Sequence, residues 1–334
     1  MGGSGVGSGK RKAAALALLA ALAGCDAGGE ISAPDGSSLA SREGHGGNPH
    51  ARPEVFAPGV ISDAREQWRI TFTPDGGTAY FTVSDEFFPI SRQGTIMVSH
   101  RVGRTWTTPV AASFSGRHSD IDPFVTPDGS RLYFSSIRPV NGVVRGDLDL
   151  WMVERTARGG WSEPVRLGPE VNGPLDELYP SVDREGNLYF GSGPFAPGQG
   201  DWDIYRARPV RNGGYAPRER LSDAVNSPWW DFNPEISPDG KTLVFTSLDR
   251  PGGYGSGDLY VSHLHRGEWT PAKNLGPPVN TELDEYHPTV SPDRKHLYFV
   301  RHSYDPWIPG DFYSIPVAAL GNRLRPGYTV PGAR

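Results

Sequence analysis

An all-β fold built from a repeated four-stranded unit is what the sequence predicts, and three observations predict it. The 334 residues include 43 glycines and 32 prolines, yet also nine tryptophans, 13 tyrosines and 14 phenylalanines. Turn formers thus alternate with enough large apolar side chains to bury a core. A turn signal, Pro-Asp-Gly or a variant, recurs with its glycine position at 76, 129, 186, 240 and 294, intervals of 53, 57, 54 and 54 residues. Such a turn joins two short strands into a hairpin. Two further strand-like segments follow each of the first four hairpins, so a period of about 54 residues holds four strands, the blade of a five-bladed β-propeller.

Taken in order, the chain opens with Lys10-Arg11-Lys12 and an apolar run from Ala13 to Ala23. Eleven residues are about half of what a membrane-crossing helix needs, and the pattern is that of a secretory signal. Leu22-Ala23-Gly24-Cys25 places the only cysteine after small residues. It resembles the lipobox of bacterial lipoproteins, which implies cleavage after residue 24 and lipid on Cys25, and so a protein held on a membrane surface. The plainer alternative is an ordinary cleaved signal with an incidental cysteine. Removal of residues 1–24 leaves 30 basic against 38 acidic residues, a formal −8. Asp26 resembles the inner-membrane retention signal of enteric lipoproteins, but the leaflet stays open. Residues 25–52 then read as the lipidated cysteine and a flexible tether, residues 53–317 as the propeller and residues 318–334 as a tail.

The turns are Thr73-Pro74-Asp75-Gly76, Thr126-Pro127-Asp128-Gly129, Asp183-Arg184-Glu185-Gly186, Ser237-Pro238-Asp239-Gly240 and Ser291-Pro292-Asp293-Arg294. Proline presets φ, the aspartate caps its own turn and glycine takes positive φ. The third strands begin near Thr95, Asp149, Asp203, Asp258 and Asp311, and the fourth open with Trp106, Trp161, Tyr215 and Trp269. The fifth copy lacks a fourth segment after Ile315. Residues 54–61, which resemble residues 165–171, are expected to supply it and so close the ring, removing both sheet edges. An open β-solenoid is the less specific alternative.

The Ser-Pro-Asp-Gly turn with its upstream acid and proline, the downstream Leu-Tyr-Phe and the Asp-Leu-Tyr of the next strand resemble the WD40-like PD40 repeats of TolB-type periplasmic propellers. Across roughly residues 53–317 the resemblance implies a propeller of the bacterial cell envelope, on the periplasmic or cell-surface side. It does not imply one activity, because such repeats serve binding proteins and hydrolase domains alike. Ile70, Arg184-Glu185 and Arg294 depart from the pattern and put the turn geometry of their blades in question.

Three residues before the proline position stand Gln67, Asp120, Glu177, Asp231 and Glu285, with Glu66, Asp176 and Asp284 beside three of them. They are expected around one mouth of the central channel, near Asp122, His287 and His118. Either each carboxylate accepts bonds from nearby amides and fixes its blade, or Asp120, Glu177, Asp231 and Glu285 hold Ca2+ or another divalent cation, or a cationic partner group. The third-strand aspartates and Trp106, Trp161 and Trp269 repeat and read as packing. Trp229, Trp230 and Trp307 break the repeat, which makes them binding candidates.

No Gly-x-Ser-x-Gly elbow, phosphate loop or zinc signature occurs, and the 17 residues after Val317 cannot hold a hydrolase domain. His118-Ser119-Asp120 is adjacent only in sequence, whereas a triad is spatial. A net charge of −5 gives no footprint for nucleic acid. The sequence therefore leads to a monomeric, non-catalytic binding or scaffold module that takes an envelope protein or cell-wall component at the channel mouth. The alternative is a carbohydrate-active enzyme, a glycosidase or lyase, with carboxylates in the central funnel.

Overall fold

A computed structural model describes residues 51–86, 88–194, 201–211, 213–304 and 306–324. The expected signal segment, Cys25, nearly all of the tether and the last ten residues of the tail lie outside the described residues. Each repeat forms one antiparallel sheet whose strands follow sequence order outward from the axis. The inner strands of blades one to four are Glu66–Phe72, Asp120–Val125, Asp176–Val182 and Trp230–Ile236. Blade five contains Asp284–Val290, His296–Tyr304 and Trp307–Pro316. The five inner strands touch one another in cyclic order, so the ring is closed.

Closure is made as expected. Glu54–Val55 pairs antiparallel with Ser314 and Tyr313, taking the outer place of the fifth blade, and the Phe56 amide donates to the Phe312 carbonyl at 2.7 Å. The Phe56 ring then stands edge-on to Tyr298 at 4.9 Å, Trp106 at 5.8 Å and Phe72 at 6.0 Å, bridging blades five and one.

The fourth strands are shorter than the sequence pattern suggests. Blade one has Thr105–Trp106 and Val110–Ala111, and blade four has Glu268–Trp269 and Lys273–Asn274. In blades two and three an isolated bridge at Trp161 or Tyr215 precedes Val165–Arg166 or Glu219–Arg220. Each interruption coincides with a proline, Pro109, Pro164, Pro217 or Pro271, which has no N–H for the ladder. Such breaks are tolerated on an edge strand and blunt it against pairing with another chain.

The turns survive their substitutions. Gly76, Gly129, Gly186 and Gly240 have φ between 65° and 84°, and Arg294 takes the same left-handed conformation at 59°. In the third turn Asp183 replaces the capping Ser or Thr, and its own carboxylate accepts the Glu185 and Asn187 amides, both at 2.9 Å. The core consists of five apolar clusters, one between each pair of neighbouring blades, and a sixth on the axis. A repeated latch joins the blades: Asn172, Asn226 and Asn280 accept from and donate to the backbone of Leu150, Ile204 and Leu259 in the preceding blade.

Because Phe56 stitches the first blade to the last, Phe56→Ala is expected to lower stability by about 2 kcal/mol, somewhat less than a fully buried phenylalanine. Denaturant unfolding of the variant beside the wild type measures it, and an unchanged midpoint would mean that the closure does not depend on this ring.

Candidate functional site

Proline shapes the channel. Pro123, Pro180, Pro234 and Pro288 interrupt the inner strands of blades two to five, and the ladder skips each of them together with the residue before it. Blade one has Ile70 there, which pairs with Phe81, so only Arg69 is skipped. The five skipped residues, Arg69, Asp122, Tyr179, Asn233 and His287, all have positive φ and are at most 8% exposed. A bulge of this kind re-aims a side chain out of the sheet.

At this level Asn233 and His287 Nδ1 lie 3.2 Å apart, the His287 amide donates to Asn233 Oδ1 at 3.2 Å, and Asp122 Oδ1 is 3.6 Å from His287 Nδ1. Asp122 Oδ2 has no hydrogen-bond partner among the described residues. Burial pushes the Asp122 carboxyl up to about 7 against the pull of Arg69, and pushes the His287 ring well below its usual value. Arg69 itself pairs with Glu235 at 2.9 Å, and burial raises Glu235 to about 7 as well. The axis is thus a polar layer of low net charge.

The expected acidic ring lies two residues further toward the entry loops. Gln67, Asp120, Glu177, Asp231 and Glu285 occupy equivalent positions, and each is 0% exposed. Four carboxylates are each met by an arginine of the same blade: Asp120 by Arg138 at 2.6 Å, Glu177 by Arg218 at 2.6 Å, Asp231 by Arg250 at 3.5 Å and Glu285 by Arg301 at 2.7 Å. Those guanidiniums lie over Trp151, Tyr205, Tyr260 and Tyr313. Entry-loop groups add further bonds, from the Gly173 amide to Glu177, from Ser227 to Asp231 and from Thr281 to Glu285. Gln67 instead donates to Asp63 at 2.9 Å.

Their neighbours reach other blades. Glu66 accepts the Gly310 amide, Asp176 the Leu148 amide and Arg92, and Asp284 the Gly257 amide. Burial raises all three, Glu66 to about 7 and Asp284 to about 6. The ring carboxylates therefore do not converge on a cation. Among the described residues no three His, Cys, Asp or Glu side chains come together as a metal ion would require. The carboxylates expected to hold Ca2+, Asp120, Glu177, Asp231 and Glu285, each face an arginine of their own blade.

Aromatic side chains do converge at this mouth. Rings from four blades succeed one another with centroids 5.0–6.3 Å apart: Trp230, Trp202, Tyr179, Phe232, Tyr286, His302 and Trp68. Trp230, Phe232 and Trp307 pack half-buried on the axial cluster, and Trp229 next to them is 37% exposed. Trp229, Trp230 and Trp307 were legible as breaks in the repeat. Arg69, Asn233 and Trp202 were not, although the residue before the proline position changes identity in every copy, and that variation was the available signal.

At the opposite end of the axis the hairpin turns surround a cavity of about 260 Å³. Glu235, Arg184 and Arg294 are among its lining residues.

No protein-family model and no curated protein matches the chain. Solved structures do. The protein BT0996, solved in a complex with RGII, is 11% identical over 86% of this chain and 96% of its own, with a TM-score of 0.53. A thermostable family-43 glycoside hydrolase is 12% identical over 77% and 91%, with a TM-score of 0.52. A TolB-type protein of Agrobacterium tumefaciens is 15% identical over 76% and 78%, with a TM-score of 0.49. At these identities the likeness is one of fold alone: this chain is a five-bladed β-propeller of four-stranded antiparallel blades.

Proposed function

We propose that the protein is a lipid-anchored propeller of the bacterial cell envelope that binds a partner protein or cell-wall component, without catalysis, at the strand-entry mouth of its channel. One observation carries this reading. The acids that the repeat places at that mouth are all engaged within the blades, whereas the tryptophans that the repeat does not require gather there and remain partly open to solvent. Large amphipathic rings offer contact area at small entropic cost, as binding surfaces need. The signal segment and Cys25 supply the anchoring part of the proposal.

A glycosidase would need two carboxylates of different environment reaching one open pocket. Asp122 and Glu235 have the raised values such acids show, but both are almost wholly buried and Glu235 is tied to Arg69. The binding reading is therefore the one the geometry favours.

Two variants separate binding from scaffolding. Trp229→Ala combined with Trp230→Ala is expected to abolish capture of the partner from solubilised envelope while the protein stays folded, at a cost of about 2 kcal/mol from the half-buried Trp230. Arg301→Met should do the reverse, keeping capture at low temperature but losing about 3 kcal/mol of stability at pH 8, because Glu285 is left buried and uncompensated. Glu285 is already raised to about 7, so the folded state favours its protonated form. Removing the arginine raises it further, and the deficit should shrink as pH falls from 8 toward 5. Capture unchanged by the double tryptophan variant would remove this mouth, and polysaccharide hydrolysis lost in Asp122→Asn would put the enzyme in its place. For the anchor, Cys25→Ser is expected to shift the protein from the membrane pellet to the soluble fraction, and an unchanged pellet would argue against lipidation.

A further inference from the structure

The repeat is broken at the opposite mouth too, and the breaks share a location. The cavity of about 260 Å³ is rimmed by the proline position of all five hairpin turns: Pro74, Pro127, Pro238, Pro292 and, in the third blade, Arg184. Arg294, at the glycine position of the fifth turn, lines the same cavity. These are the only two turn positions where an arginine replaces a small or rigid residue of the pattern.

Neither residue is the one that the pattern uses at its place. Four turns use glycine at the left-handed position, and Arg294 holds that conformation at φ 59° with a side chain that disfavours it. Arg184 contributes its backbone amide to the Pro238 carbonyl at 3.0 Å, a bond almost any residue could make. Its exposed guanidinium has no carboxylate partner among the described residues.

Among the residues that line the cavity, two arginines stand against one carboxylate. The turn aspartates do not line the cavity, because they are bonded to their own turns: Asp75 to Thr73, Asp128 to Thr126, Asp239 to Ser237 and Asp293 to Ser291. Glu235 is the one carboxylate in the lining, and it is held by Arg69 at 2.9 Å and by the Val290 amide. Phe124, Val182 and Val290 make the walls apolar. Concave, mainly apolar and carrying a few oriented charges, the cavity has the character of a small-molecule site, and guanidinium is the group suited to planar or tetrahedral oxyanions.

We propose that this turn-end cavity binds a small ligand in which a carboxylate or phosphate is carried on an apolar body, with Arg184 and Arg294 receiving the oxyanion. The site lies at the other end of the channel from the tryptophan mouth and does not depend on the binding role proposed there.

The test is calorimetric titration of the full chain with benzoate, phenyl phosphate and inorganic phosphate, with benzamidine as the cationic control. Saturable binding of benzoate or phenyl phosphate, without binding of benzamidine, is expected, and the stronger of the two arms identifies the head group. Arg184→Ala and Arg294→Gly should each weaken that binding about tenfold or more, the worth of a charge-assisted bond. Arg294→Gly restores the repeat's own residue, so its Tm should hold or rise by about 2 °C. Lost binding with undiminished stability is not what a merely structural arginine would give. The Trp229→Ala/Trp230→Ala variant should bind the anion as the wild type does. Absence of saturable binding to either anion, equal binding of benzamidine, or wild-type affinity in both arginine variants overturns the proposal.

Discussion

The constraint on which this molecule turns is the missing N–H of a proline in the middle of four of its five inner strands. A residue without a donor cannot keep its place in an antiparallel ladder, so Pro123, Pro180, Pro234 and Pro288 are skipped, and the preceding residue is forced into left-handed backbone. Blade one bulges without proline, at Arg69, where a single residue is skipped and φ is 21°. Five bulges in register then supply a layer of five side chains directed out of their sheets, and that layer divides the channel into two mouths with different linings.

Around this layer the polar groups are satisfied in a way that holds blades together. A buried carboxylate is destabilising unless it is paired, and replacing a buried pair with apolar residues is often neutral or favourable. The Asp120–Arg138, Glu177–Arg218 and Glu285–Arg301 pairs are therefore poor candidates for the main source of stability. The apolar clusters between blades fill that role. What the pairs contribute is strand register inside a blade, and what the Asn172, Asn226 and Asn280 latches contribute is register between blades, since a blade displaced by one residue along its neighbour would leave the latch groups buried without a partner.

Five blades, their hairpins and the closing strand were all readable because each rests on local chemistry repeated at a fixed spacing: turn residues near 76, 129, 186, 240 and 294, and an outer strand missing after Ile315 but supplied from the other end of the domain, where Glu54–Val55 rather than the whole of 54–61 forms it. Pairing of the ring acids was not readable. The partners Arg138, Arg218, Arg250 and Arg301 lie 16–41 residues away in sequence at uneven offsets, so only the folded sheet brings them together. Asp122 and His287 were among the candidates, but their neighbours Arg69 and Asn233 come from other blades and acquire meaning only once the bulge is seen. The turn-end cavity escaped for a related reason: Arg184 and Arg294 look in sequence like imperfect turns, and their common location depends on the ring being closed.

A repeat protein offers an internal control that single-copy folds lack. A residue type that recurs at one place from blade to blade answers a demand the blades share, which is the demand of folding, and the ring acids of blades two to five belong to that class. A residue found at one position in one blade, at some local disadvantage, answers a demand outside the repeat. Arg294 in left-handed backbone and the partly exposed Trp229 are of the second kind, and they lie at opposite ends of the same axis. If the blades supply only the frame, chemical specificity has to reside in such departures, which places it in the aromatic ring at one mouth and the two guanidiniums at the other rather than in the most regular and most acidic positions of the chain.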